Sequence, residues 1–174
     1  MVNPFESPSA EEHRRNSPDC IRCAVVTVSD SRTLEQDFSG RTMVELLESE
    51  GHQVIERTIV PDEPTILTEL VQRFSQSSDI DAVLFTGGTG IAARDQTTDA
   101  IASLLTKELP GYGELLRMLS YQEIGAAAML SRAIGGIVDQ TVVLTMPGST
   151  AAVRLAMHKL ILPELKHMVS LAGR

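Results

Sequence analysis

Short apolar runs alternate along this chain with amphipathic stretches, the pattern of strands and helices taking turns. The run around Ala24-Val25-Val26-Thr27-Val28, within residues 21–28, is nearly all apolar, as a strand covered on both faces should be. A polar turn, Ser29-Asp30-Ser31-Arg32, closes it. Met43, Leu46 and Leu47 then share one face of a helix predicted over 39–50, with Ser39 as N-cap and Gly51 as stop. A second strand over 53–60 completes a βαβ unit. Pro61-Asp62-Glu63-Pro64 opens another helix, striped by Ile66, Leu67, Leu70 and Phe74. Ala82-Val83-Leu84-Phe85 reads as a third, buried strand, and Thr97-Thr98-Asp99 ahead of Ile101, Leu104 and Leu105 as a capped helix ending near Leu109.

Pro110-Gly111-Tyr112-Gly113-Glu114 starts a further helix carrying Leu115, Leu116, Met118 and Leu119. The small apolar segment 126–132 reads as loop or short strand. Residues 133–138 and 141–146, around Asp139-Gln140, predict a hairpin that adds an antiparallel edge to the sheet. Pro147-Gly148-Ser149 then caps a long C-terminal helix with Val153, Met157, Leu160 and Ile161, which Pro163 kinks or restarts. Strands alternating with helices imply a mostly parallel sheet with right-handed crossovers. The ends carrying Ser29-Asp30 and Gly87 to Gly90 then lie along its carboxyl edge, where open α/β sheets bind ligands.

The 174 residues suit one domain over 20–174, preceded by a mobile tail over 1–19 in which Pro4, Pro8 and Pro18 stand among serines and charges. A net charge of −8 attracts neither nucleic acid nor an acidic membrane surface, and no tryptophan supplies a stacking platform for single strands. An anionic substrate would need a site built from local backbone dipoles and a few arginines. Without a bilayer-length apolar run or a signal-peptide pattern, a cytoplasmic protein is expected. Cys20 and Cys23 form a lone CxxC ahead of a strand, which reads as ordinary cysteines. The four histidines, His13, His52, His158 and His167, lack ligand spacing.

The chemistry concentrates at the glycine turn. Gly88-Thr89-Gly90-Ile91-Ala92-Ala93 nominally satisfies a dinucleotide fingerprint but follows the third strand and does not run directly into a helix, and no P-loop occurs. The turn either holds a ligand through its backbone or is structural. Asp95 just beyond it can hold Mg²⁺ against phosphates or cap a helix. Asp62 at the second strand's end is more simply a cap, although two aspartates on one edge make a better metal site than one. Pro147-Gly148-Ser149 is an anion site or a plain helix start. Arg94 and Ser131-Arg132 supply charge suited to phosphate.

Taken together, Thr27-Val28-Ser29-Asp30, Asp37-Phe38-Ser39-Gly40, Val60-Pro61-Asp62, Thr86 to Gly90, Arg94-Asp95-Gln96-Thr97, Pro110 to Glu114, Ser131-Arg132 and Met146 to Ser149 resemble the MogA/MoaB family of molybdenum-cofactor biosynthesis. The resemblance spans about 21–165. Its Met146-Pro147-Gly148-Ser149-Thr150 ending is closer to the MoaB branch, and Thr98 stands where the family often has proline. The resemblance implies a three-layer α/β/α sandwich, assembled as a homotrimer or a hexamer made of two trimers. It implies adenylylation of molybdopterin by MgATP, giving adenylyl-molybdopterin and pyrophosphate, or pterin binding in the same pathway without turnover. The pathway's molybdate-insertion protein is an implied partner. On this resemblance Asp62 and Asp95 are the catalytic acids and candidate Mg²⁺ ligands. Thr86, Gly87, Gly88, Thr89 and Gly90 form the ligand loop. Ser29, Asp30, Glu114, Ser131, Arg132, Pro147, Gly148 and Ser149 surround the substrate.

Overall fold

The computed structural model describes residues 18–173; the expected tail, except for its last two positions, lies outside them. Six strands form one sheet in the order β2-β1-β3-β6-β5-β4: β1 (Arg22–Val28), β2 (Gln53–Val60), β3 (Ala82–Thr86), β4 (Lys107–Glu108), β5 (Gly135–Val138) and β6 (Thr141–Met146). The first four in that order are mutually parallel, and β5 and β4 are antiparallel additions at one edge. The described residues also form six α-helices, in chain order α1 (Phe38–Ser49), α2 (Pro64–Ser75), α3 (Thr97–Ala102), α4 (Pro110–Ile124), α5 (Thr150–Ala156) and α6 (Leu162–Ala172).

Strand alternation divides the core into two layers. Cys23, Val25, Leu84, Leu144 and Met146 face α1, α4, α5 and α6 through Met43, Leu47, Leu116, Met157 and Leu165. Ala24, Val26, Val83, Phe85 and Val143 face α2 and α3 through Leu67, Val71, Phe74 and Ile101. Each large side chain so buried contributes about 1.5–3 kcal/mol. The result is the expected three-layer sandwich. Since α1 covers one face beside β1 and α2 the other on the way to β3, strand order reverses between β1 and β3. Ligands bind at the carboxyl end of such a switch point.

Three local expectations give way, and the break expected at Pro163 is found. The N-cap of α1 is Asp37, not Ser39: its fully buried carboxylate accepts the Gly40 N–H at 2.9 Å and bonds to Thr27, Ser39 and Arg57. Helix α3 stops at Ala102, short of Leu109. The chain then makes the two-residue strand β4, flanked by Thr106 N–H to Ile137 O (2.8 Å) and Leu109 N–H to Gly135 O (2.7 Å). Two exposed residues carry no hydrophobic period, so the pattern is silent there. The segment 126–132 lies mostly in a 3₁₀ helix, Gly125–Leu130. Pro163 sits in the first turn of α6, directly after a π turn, Met157–Ile161, which takes up the break its missing N–H imposes. No helix among the described residues is long and apolar enough to cross a membrane.

Candidate functional site

A cavity of about 520 Å³ opens at the carboxyl edge of β1, β3 and β6. The turn after β1 contributes Ser29, Ser31 and Arg32, the turn after β3 Gly87 to Gly90, and the turn after β6 Pro147 to Ser149. Ile124, Ala127, Ala128 and Leu130, from α4 and the 3₁₀ helix, make the opposite wall apolar, and Asp95 and Ser131 complete the rim.

The glycine turn is held open by conformations and approaches that a side chain would prevent. Gly87 has φ +109°, and a Cβ there would collide with the Val28 carbonyl. Gly88 has φ +62°, and its Cβ would overlap the Asp62 carboxylate and the Thr97 hydroxyl. Gly87 N–H is engaged by Met146 O at 3.0 Å, whereas the N–H groups of Gly88, Thr89 and Gly90 meet no protein acceptor among the described residues. Unengaged backbone donors beside a cavity suit a phosphate oxygen. Thr86 is fully buried behind the turn, where its hydroxyl donates to Pro147 O at 3.0 Å and so ties the β3 and β6 ends together. It therefore braces the site without lining it.

The acids divide by position. Asp95 lines the cavity and accepts the Ala92 N–H at 2.9 Å, a turn bond that leaves it at the rim. Asp62 does not line the cavity. It is 5% exposed and turned beneath Gly88, where it accepts the Thr97 hydroxyl at 2.9 Å and the Gln96 N–H at 3.2 Å. Asp62 thus caps α3 from a distant turn, whereas α2 starts at Pro64 with no side-chain cap. Burial holds its carboxyl above the usual range, with the neighbouring Asp95 charge adding to the rise and the Thr97 and Gln96 bonds opposing it. Asp30 also stands behind the turn, accepting the Asp62 N–H at 3.2 Å and Arg94 Nε and Nη2, each at 2.8 Å. Arg94, bonded also to Glu63, lowers its carboxyl below the ordinary value.

Two residues assigned to the substrate stand outside this cavity. Arg132 does not reach into the cavity: Nε donates to Gly90 O at 2.7 Å, Nη2 to Asp95 O at 2.6 Å, and Nη1 to Asp99 at 2.8 Å. Its backbone N–H meets Thr89 O at 2.7 Å, so this arginine is the strut that shapes the turn. Glu114 lines a separate cavity of about 220 Å³ near Arg117 and Glu108. Ser29, whose Oγ accepts the Ser31 and Arg32 N–H groups, and Ser149, whose Oγ accepts the Ala152 N–H and caps α5, are both at the cavity. Thr98 donates to Arg132 O at 3.1 Å, a bond that proline at this position could not make.

Sequence reasoning missed Arg32 and the apolar wall. Arg32 is the one arginine lining the cavity among the described residues, in a turn read only as polar. Its signal was its place two residues past Asp30 at a strand end. The wall came from a segment without a legible period.

A Mg²⁺ ion takes one or two protein carboxylates and completes its shell with water and phosphate oxygens. Asp95 fits that role. Asp62 does not, because it is buried beneath Gly88 and does not line the cavity. No cluster of three or more His, Cys, Asp or Glu suited to a metal occurs among the described residues.

Comparison with known proteins agrees with this architecture. Residues 24–167 match the family model described as a probable molybdopterin binding domain. Molybdenum cofactor biosynthesis protein B of Bacillus subtilis is 52% identical over 162 residues, covering 92% of this chain and 95% of the relative. A crystal structure of molybdenum cofactor biosynthesis protein B superposes with a TM-score of 0.87 at 51% identity, covering 91% of this chain and 99% of that one. The tungsten cofactor synthesizing protein MoaB from Pyrococcus furiosus gives 0.79 at 35% identity, over 91% and 100%.

Proposed function

The chain belongs to the molybdopterin-binding-domain family of molybdenum cofactor biosynthesis, and from that premise we propose that it adenylylates molybdopterin with MgATP, releasing pyrophosphate. The supporting observation is the row of N–H groups at Gly88, Thr89 and Gly90, unengaged among the described residues, beside a cavity that Asp95 and Arg32 also line. In this reaction an oxygen of the pterin's terminal phosphate forms a bond to the α-phosphorus of ATP. The bond from that phosphorus to the bridging oxygen breaks, and pyrophosphate leaves with the electron pair. The attacking phosphate is already ionised, so no general base is needed, and positioning with charge neutralisation is the whole task. The loop donors hold phosphate oxygens, the apolar wall of Ile124 to Leu130 excludes water from one side, and Arg132 and Asp62 keep the turn in shape. Asp95 would hold Mg²⁺, which supplies charge neutralisation when bound with the nucleotide.

The burial of Asp62 outside the cavity favours one alternative, a pterin carrier of the same pathway with no turnover, because a single rim carboxylate is a sparse metal site. Pyrophosphate release from MgATP, measured with and without molybdopterin, decides between them. Release that depends on the pterin supports adenylylation; stoichiometric pterin binding without release sinks it. We further propose a trimer or a dimer of trimers, supported by the exposed Met118, Tyr121, Ile124 and Met129 on α4 and the 3₁₀ helix. In the same reading, product passes to the pathway's molybdate-insertion protein.

A further inference from the structure

The arginines around the cavity differ in how their charge is matched. Arg94 is paired with Asp30 at 2.8 Å and Glu63 at 2.9 Å, Arg132 with Asp99 at 2.8 Å, and Arg57 with Asp37 at 2.9 Å. Arg32 has no carboxylate partner among the described residues. Its Nη1 donates to Ser39 Oγ at 2.9 Å and Gly148 O at 3.2 Å, and its Nη2 to Gly148 O at 3.3 Å. The Gly148 bonds reach across 116 positions of sequence from the β1 turn to the β6 turn, which distinguishes Arg32 from a surface arginine free in solvent. A hydroxyl and a carbonyl are neutral, so they orient the guanidinium without cancelling its charge.

Arg32 also stands between two spaces. Beside the main cavity lies a smaller one of about 240 Å³, bounded by Gln36, Phe38, Ser39 and Thr150, and the two share Arg32, Gly148 and Ser149. Ser39, Ser149 and Thr150 line that smaller space together with Arg32. In a chain of net charge −8, an unmatched cation between two cavities is a local attraction for an anion.

Resting on the reading of the main cavity as a phosphate-handling site, we propose that Arg32 is its phosphate-binding cation. Its subsite for one phosphate group lies where the two cavities meet. Ser39 and Gly148 hold the guanidinium in place until phosphate arrives. Charge-assisted bonds to phosphate are shorter and stronger than those to neutral acceptors, so phosphate displaces them, and the planar fork gives the contact its geometry.

The test is calorimetric titration of the full chain and its Arg32→Gln and Arg32→Lys variants with inorganic pyrophosphate and with MgATP. Melting curves and pterin-dependent pyrophosphate release are measured on the same samples. Arg32→Gln is expected to lose about tenfold or more in pyrophosphate affinity, the scale of one charged hydrogen bond. Its melting temperature should hold, and KM for ATP should rise more than kcat falls. Arg32→Lys should recover part of the affinity, since it keeps the charge and loses the fork. Equal affinity in wild type and Arg32→Gln would overturn the proposal, as would absence of pyrophosphate binding by the wild type. Arg32-dependent anion binding with no pyrophosphate release would uphold the subsite and refute adenylylation. Release with an unchanged KM in Arg32→Gln would do the reverse.

Discussion

Asp95 accepts one turn hydrogen bond and still lines the cavity, so its two roles can be separated by a substitution that keeps the first. In Asp95→Asn the side-chain oxygen still accepts the Ala92 N–H while the charge is gone. Turnover should fall about a hundredfold, the scale of losing one charge-stabilising group, with pterin binding and melting temperature retained; unchanged turnover would reduce Asp95 to a turn residue. Arg132 behaves differently, because its guanidinium holds Gly90 O, Asp95 O and Asp99. Arg132→Ala should lower stability by about 1–3 kcal/mol in denaturant titrations, since it leaves inner carbonyls unpaired. His52 supplies a pH dependence. It is 6% exposed, its Nδ1 accepts the Ile21 N–H at 3.2 Å, and burial, helped by Lys166 and opposed by Glu50, lowers its pKa. The native state therefore keeps His52 neutral, while the unfolded chain takes up a proton near pH 6.5. Stability from this group is full above that pH and is lost as pH falls below it toward the lowered native value. The melting-temperature difference between wild type and His52→Gln, which cancels the other titrating groups, should shrink from pH 8 to pH 5.

The turn after β3 works only because of what meets it from other elements. Asp62, from the end of β2, fills the space that a Gly88 side chain would need and caps α3. Gly88→Ala combines a left-handed backbone with that overlap. It is expected to destabilise the fold by about 1–3 kcal/mol and to abolish anion binding at the loop; calorimetry beside thermal melting checks both. A variant with normal affinity would show that the turn tolerates another shape. At the start of α1, Asp37 ties β1, β2 and α1 together through Thr27, Arg57 and Gly40. Burial alone would raise its carboxyl, but Arg57, Gly40, Thr27 and Ser39 together hold it below the ordinary range. That charge fixes the base of the turn from which Arg32 projects.

Across the whole molecule, the helical layers bury the sheet faces, and α4 with the 3₁₀ helix still presents apolar side chains outward. Tyr121 is 63% exposed and Met129 76%, next to Ile124, which lines the cavity as well. An assembly that covers this strip would border the site. If the proposed trimer covers this face, Tyr121→Glu combined with Met129→Glu should give a monomer by light scattering, because two charges oppose burial there. An unchanged mass would move the interface elsewhere.

The two-sided burial of β1 and β3, the helix stripes, the parallel order and the gathering of Ser29 and Gly87 to Gly90 at one sheet edge were all legible in the chain. Periodicity and glycine placement are local properties, and the ordered motifs identified the family. Other features depended on partners far apart in sequence. Asp62 reads as the cap of the helix that follows it, and only packing turns it toward Thr97. Arg132 reads as a phosphate ligand until Gly90, Asp95 and Asp99 close around it. Glu114 matches a motif but faces another cavity, and Arg32 gains meaning only when Gly148 arrives from the other end of the chain. Sequence determined which elements form, because that follows from each residue's neighbours. Tertiary structure decided which charges stay unmatched, because a charge is matched by whatever lies within a few ångströms, however distant along the chain.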